Sequence, residues 1–384
     1  MSVWDDLVGQ EAAISELSAA AAGQGMTHAW LITGPPGSGR SNAARAFAAA
    51  LLTEDHGASL SPEAQRALSG THESMTMLRT QKSVISIDEV RQLVSTSQSS
   101  PVNADWRVII IEDADRMAER TSNVLLKAIE EPPPSTVWIL CAPSPEDVLT
   151  TIRSRCRTVG LRIPPTEAVA QLLINRDGVD PDRAKWAAAA AQNHIGRAKH
   201  LALDDDAAQA RRRILEIPQR LTSVGATVRL AGRTVEAASE RAEERTKARS
   251  ERERAELLET LGVEPGKAVP PALRPQVKRL EEEQKRRAVR ARADELDSIM
   301  LELLSLYRDV LLTQLGSGDT LINISEAELI REIAAQDDAT TTLKRINVLE
   351  LARERLQTNT APLLIVEAAF IGLANPWLEN HTTR

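Results

Sequence analysis

The sequence predicts an α/β chain: a parallel-sheet phosphate-loop domain, a small helical lid, and an all-α domain. Three observations carry this. Short apolar runs alternate with helix-forming stretches over roughly the first 160 residues, the pattern of a doubly wound sheet. A glycine-rich loop, Gly34-Pro35-Pro36-Gly37-Ser38-Gly39-Arg40-Ser41, separates the first such run from a helix. The strand signal stops at Pro164-Pro165, and only helical patterns follow. The expected domains are residues 1–163, 164–210 and 211–384.

Taken in order, Val8-Gly9-Gln10 precedes a helix over Glu11 to Ala22, and Ala29 to Ile32 is a short buried strand. The glycine loop opens a helix over Asn42 to Leu52, and residues 53–75 are polar and turn-rich, a surface excursion. Met77-Leu78 and Val84 to Ile87 read as strand or strand-edge segments, with a helix from Asp88 to Gln98 capped by Asp88. The β-branched run Val108 to Ile111 marks a strand buried on both faces. A helix from Thr121 to Glu131 ends at Pro132-Pro133-Pro134, followed by strands at Val137 to Cys141 and Thr158 to Leu161. Residues 166–204 hold three short helices broken at Asp177-Gly178 and Asn193. In the last third, Leu296, Ile299, Met300, Leu303, Leu304, Tyr307, Val310 and Leu311 form one apolar stripe at helical spacing. Residues 236–295 have another texture, charged on nearly all faces and broken by a Gly/Pro-rich stretch from Gly262 to Pro275. They read as a solvated helical hairpin inserted into the last domain. Its basic run, Lys285 to Arg292, reads as a wet helix face, with DNA contact the less favoured alternative.

Composition narrows the function classes. Aromatics are 2% of 384 residues, so the core is aliphatic and alanine-rich, which suits packed helices. A net charge of −7 argues against a chain that coats nucleic acid by itself. Cys141 and Cys156 are too few and badly spaced for a disulfide framework or a zinc site. No signal peptide and no membrane-spanning run are visible, so a soluble cytoplasmic protein without membrane partners is expected.

The loop sits where a phosphate-binding loop must: strand before, helix after, with glycines that turn N–H groups toward an anion. It fits G-x-x-x-x-G-K-[ST] at every position but one, because Arg40 replaces the lysine. A planar guanidinium does not reproduce the reach of a compact ammonium to the β- and γ-phosphates. The candidate nucleotide contacts are therefore Gly34, Gly37, Ser38, Gly39, Arg40 and Ser41, a degenerate set.

Five pieces occur in one order: Val8-Gly9-Gln10, His28-Ala29-Trp30, Ile110 to Met117, Asn123 to Pro133, and Ser154-Arg155-Cys156. The most specific are Asn123-Val124-Leu125-Leu126-Lys127-Ala128-Ile129-Glu130-Glu131-Pro132-Pro133 and the Ser-Arg-Cys triplet. Together the set resembles the AAA+ subunits of the bacterial sliding-clamp loader, part of the DNA polymerase III holoenzyme. The resemblance covers roughly residues 5–205 and returns at Asn359 to Leu364, but gives no support for the 236–295 insert. It implies an AAA+ domain, a lid and a helical collar that joins five subunits. It also implies partners: the gamma/tau and delta subunits of a hetero-pentamer, the sliding clamp, and primer-template DNA through the assembled complex.

Departures from the family pattern concern its catalysis. Besides Arg40, the chain reads Glu112-Asp113 where the ATPases carry Asp-Glu, so the groups that support Mg²⁺ and polarise water are exchanged. Ala142-Pro143-Ser144 stands at the polar sensor, and Gly196 where the lid arginine belongs, with Arg197 beside it. The family's four-cysteine zinc module would fall in residues 53–75, which have no cysteine; His56 and His72 do not replace it. Ser154-Arg155-Cys156 is intact, and in the family its arginine reaches a neighbour's active site as an arginine finger, a group worth ~10³–10⁵ in rate. Cys156 reads as a packing residue. The expectation is a stator-type subunit of the polymerase holoenzyme: no intrinsic ATPase, no metal, no required cofactor, and Arg155 acting in trans. Passive binding of ATP or ADP is left open. The alternatives are a catalytic loader ATPase and, more remotely, a small-molecule P-loop kinase.

Overall fold

The computed structural model describes residues 2–80, 84–263, 269–317, 321–358 and 360–375. The chain divides into two compact units, Met1–Asp204 and Asp205–Arg384.

The first unit is built on a five-stranded parallel sheet, β1 Ala29–Thr33, β2 Met75–Leu78, β3 Arg107–Ile111, β4 Thr136–Ala142 and β5 Arg157–Gly160, in the order β2-β3-β4-β1-β5. Side chains alternate along each strand, so β1, β3 and β4 feed two cores. One face carries Trp30, Ile32, Val108, Ile110 and Ile139, packed by α1 Glu11–Ala21, α2 Arg40–Leu51 and α3 Pro62–Ser69. Trp30 and Phe47 meet edge-to-face at 5.0 Å. The other face carries Leu31, Ile109, Ile111, Trp138 and Leu140 under α4 Ile87–Ser97, α5 Glu119–Glu130 and the short α6 Thr150–Arg153. The lid helices α7 Thr166–Asp177, α8 Pro181–Ala190 and α9 Ile195–Leu203 complete this unit, and α7 stops at Gly178 with φ +67°.

Two local expectations are corrected. Residues 53–75 are not a pure surface excursion: Ser61 caps α3, Pro62 sits in its first turn, and Ala64 and Ala67 are fully buried. Helix α4 is capped by Ser86 rather than Asp88. The Ser86 hydroxyl accepts from Glu89 N–H and the Glu89 carboxylate accepts from Ser86 N–H at 2.8 Å, a capping box. Ile87 therefore opens the helix, and of the expected strand edge only Ile85 bridges, to Met117.

The second unit is all helical: α10 Asp205–Leu215, α11 Ile217–Arg220, α12 Val224–Thr260, α13 Arg274–Gln314, α14 Ala327–Gln336, α15 Ala339–Leu356 and α16 Pro362–Ala374. The stripe Leu296, Ile299, Met300, Leu303, Leu306, Tyr307 and Val310 is its central core. The charged region forms a helical hairpin, as its texture suggests. It is the outer halves of α12 and α13, two helices continuous with that core. Arg287–Glu253, Arg254–Glu281 and Arg245–Glu295 pairs at 2.8–3.0 Å zip them together. Part of the Gly262–Pro275 break and Asn359 lie outside the described residues. Among the described residues no helix is long and apolar enough to cross a membrane.

Candidate functional site

The phosphate loop joins β1 to α2. Gly37 and Gly39 take φ +89° and +91°, and Gly39 is the N-cap of α2, so the loop bends through conformations that side-chain-bearing residues avoid. Gly34 N–H donates to Pro143 O at 3.2 Å and Ser38 N–H to Pro35 O at 3.1 Å. Ser38 is buried against Gly34, where an added Cβ would meet Ser38 Oγ at 2.6 Å. Gln10 fastens the loop from behind: its amide donates to Arg162 O at 2.6 Å and Ser38 O at 3.3 Å, and accepts from Arg162 N–H at 3.1 Å. Ser41 is half-buried in the first turn of α2.

The charged groups do not meet the needs of phosphoryl transfer. Arg40 turns back on its own loop, with Nη1 donating to Gly34 O at 2.6 Å. Glu112, at the end of β3, is buried between two arginines: Arg45 Nη2 at 3.4 Å and Arg79 Nε at 3.3 Å. Asp113 adopts left-handed φ +53° and pairs with Arg116 at 3.5 Å. Burial raises the Asp115 carboxyl above its usual value, with the neighbouring Asp113 charge acting in the same direction. Burial pushes the Cys141 thiol up to about 12, so it is a neutral packing group; its Sγ lies 3.9 Å from Arg40 O. The backbone cradle suits an anion. The carboxylates that would serve a nucleotide's Mg²⁺ are already neutralised by guanidinium groups.

The lid adds a contact that the residue pattern does not announce. His194, N-cap of α9, rests on the loop: a Cβ built at Gly37 would stand 3.0–3.1 Å from its Cβ, Cγ and Cδ2. Burial and the charge of Arg197 hold its imidazole below the usual histidine value. Gly196 follows two residues later and offers no side chain where a lid arginine would reach in. Ser144 caps the turn at Pro145–Asp147 and bonds Glu146, away from the loop. Gln10, Arg45, Arg79 and His194 are thus the site residues that sequence reasoning missed; the only signal was the position of His194 just before Ile195-Gly196.

Arg155 lies between α6 and the start of β5, at the N-terminal edge of the sheet, whereas the loop leaves the C-terminal end of β1. In a parallel sheet these are opposite edges. Its guanidinium is half-exposed, pairs with Glu130 at 2.5 Å and donates to Thr151 O at 2.8 Å. Cys156 behind it is raised to about 12 by burial. Among the described residues no group of three or more His, Cys, Asp or Glu side chains is arranged to hold a metal ion.

Residues 9–165 match the family described as "DNA polymerase III, delta subunit". The chain is 27% identical to DNA polymerase III subunit delta' of Bacillus subtilis, over 50% of this chain and 59% of that one. Residues 9–165 are thus similar to DNA polymerase III clamp-loader subunits. Other clamp-loader relatives carry a different subunit name. The Mycobacterium tuberculosis gamma/tau subunit is 30% identical over 47% of this chain and 33% of that one. The B. subtilis tau subunit is 22% identical over 96% of this chain and 61% of that one. The chain therefore spans between a third and about three fifths of the length of these curated relatives.

Proposed function

We propose that the chain is a delta-prime-type stator of the bacterial clamp loader: a subunit that hydrolyses no ATP and completes a neighbour's site with Arg155. The observation that carries the reading is the Arg40 guanidinium, bound at 2.6 Å to the carbonyl of Gly34 in its own loop. A cation so engaged does not attend a γ-phosphate, and Glu112 and Asp113 are occupied by Arg45, Arg79 and Arg116. Arg155, on the opposite edge of the sheet, is held by exposed contacts, a half-exposed ion pair worth ~0–1 kcal/mol and a hydrogen bond to Thr151 O, and is readily released to a partner's phosphate.

In this role the chain works in the cytoplasm within a hetero-pentamer of gamma/tau and delta subunits, which loads the sliding clamp on primer-template DNA for the polymerase holoenzyme. It requires neither zinc nor nucleotide. A nucleotide held passively would have to move His194 and Arg40 off the loop. The second reading, a gamma/tau-type ATPase, is favoured by the gamma/tau and tau relatives.

Steady-state ATP hydrolysis by the isolated protein separates the two. The stator reading expects turnover no faster than a buffer control. Clear turnover that disappears in Arg40→Ala would assign the chain to the catalytic class. Stoichiometric zinc surviving dialysis would refute the zinc-free expectation.

A further inference from the structure

The outer half of α13 carries cations that the rest of the unit does not use. Between Arg274 and Arg292 the sequence has eight basic and three acidic residues. Those facing α12 are committed: Arg287 to Glu253, Glu281 to Arg254, and the Gln284 amide to Ser250 O, while Val277 is buried. Lys278, Arg279, Lys285 and Arg286 are exposed and form no ion pair with a carboxylate among the described residues. Arg286 donates only to the backbone carbonyl of Glu282, one turn back.

Helical geometry collects these four on one side. Lys278 and Lys285, and likewise Arg279 and Arg286, are seven residues apart, two turns or about 10.5 Å along the axis. The α12-facing positions Val277, Gln284 and Ala291 repeat at the same interval on the opposite side. Glu282 shares the outer face and leaves it net cationic. The rod is braced by the interhelical pairs, so the backbone fixes the four charges in two short rows on one side.

We propose that this face of α13 binds the phosphate backbone of duplex DNA without reading its sequence. Duplex DNA presents one negative charge per ~1.7 Å of axis, a density that a short line of long basic side chains complements. Between Arg274 and Leu306 α13 has no aromatic residue on which an unpaired base could stack, and Gln284, a potential reader of base edges, is spent on α12. An acidic protein partner fits less well. Val289 is the one exposed large apolar side chain on this stretch, and interfaces need buried anchors. The contact does not depend on whether the phosphate loop hydrolyses ATP.

The test uses the full chain and a fluorescein-labelled 30-base-pair duplex, with anisotropy titrations between 50 and 200 mM KCl. The variant Lys278→Gln/Arg279→Gln/Lys285→Gln/Arg286→Gln, checked for helix content by circular dichroism, should bind at least about tenfold more weakly at 50 mM. Its plot of log K against log salt should be shallower by about 3–4, four phosphate contacts at ~0.9 each. A control with Lys247→Gln/Arg252→Gln, exposed cations set among glutamates on α12, should keep the wild-type affinity and slope. Unchanged affinity and slope in the fourfold variant, or an equal loss in the control, would overturn the proposal. So would tighter binding of poly-L-glutamate than of the duplex, which would point to an acidic protein segment.

Discussion

Replacing Gly37 by alanine probes the contact between lid and phosphate loop. Gly37 has φ +89°, and its new Cβ would lie 3.0 Å from His194 Cβ and 3.1 Å from Cγ and Cδ2. The positive φ alone costs an L-residue ~1–2 kcal/mol. Forcing the imidazole off its rotamer adds ~0.5–1.5 kcal/mol. In the His194→Ala background the ring contacts at Cγ and Cδ2 are lost while that to Cβ remains, so a double-mutant cycle should give a coupling of at most about 1 kcal/mol between the positions. Gly37→Ala alone, at ~1.5–3.5 kcal/mol, should lower the first unit's Tm by about 3–14 °C, at ~2–4 °C per kcal/mol for this size. Tryptophan fluorescence reports this unit selectively, because five of the six tryptophans (4, 30, 106, 138 and 186) lie in it. A Gly37→Ala penalty that is the same with and without His194 would show that the ring does not rest on the loop.

Two further outcomes follow from buried charge. Arg211 and Glu302 pair at 2.8 Å with 4% and 7% side-chain exposure, and Arg211 also donates to Asn323 Oδ1 at 2.5 Å. Arg211→Met strands the glutamate and should cost ~3–5 kcal/mol, seen as an earlier thermal transition at 222 nm, whereas adding Glu302→Leu should recover part of it. His194 is held below its usual pKa of 6.5 by burial, so the folded state resists a proton that the unfolded chain accepts. Its contribution is therefore complete above the unfolded value and declines as pH falls below about 6.5. Tm measured from pH 7.5 to 5.5 should drop less steeply in His194→Asn, which keeps a capping side chain; parallel profiles would remove His194 from the account.

The sheet was legible because strands buried on both faces are written as unbroken apolar runs, Val108 to Ile111 most plainly. The three lid helices were legible from Gly178 and Asn193, where helical periodicity stops. Helix α3 was not, since it buries only Ala64 and Ala67 and looks polar in sequence. The α4 cap moved from Asp88 to Ser86 because both residue types suit that end, and only the reciprocal Glu89 bond decides. Charge texture picked out the outer halves of α12 and α13 as a wet hairpin but not that each helix runs on into the core. It reports which faces are wet and says nothing of where a helix begins. At the site, the loop was visible from spacing and the Glu112-Asp113 exchange from the family resemblance. Their neutralisation was not, because Arg45, Arg79 and His194 reach the site through the fold, His194 from 157 positions beyond Gly37.

The central claim is that this chain's Arg155, and not its phosphate loop, enters the chemistry of the assembled loader. The direct test is DNA- and clamp-stimulated ATP turnover by gamma/tau and delta subunits reconstituted with wild-type, Arg155→Ala or Arg40→Ala chain. Arg155→Ala should assemble normally, since it loses a half-exposed pair with Glu130 and an exposed bond to Thr151 O, yet lower turnover partially while the other subunits keep their own fingers. Arg40→Ala should leave turnover at the wild-type rate. Full turnover with Arg155→Ala, or a loss confined to Arg40→Ala, would contradict the account.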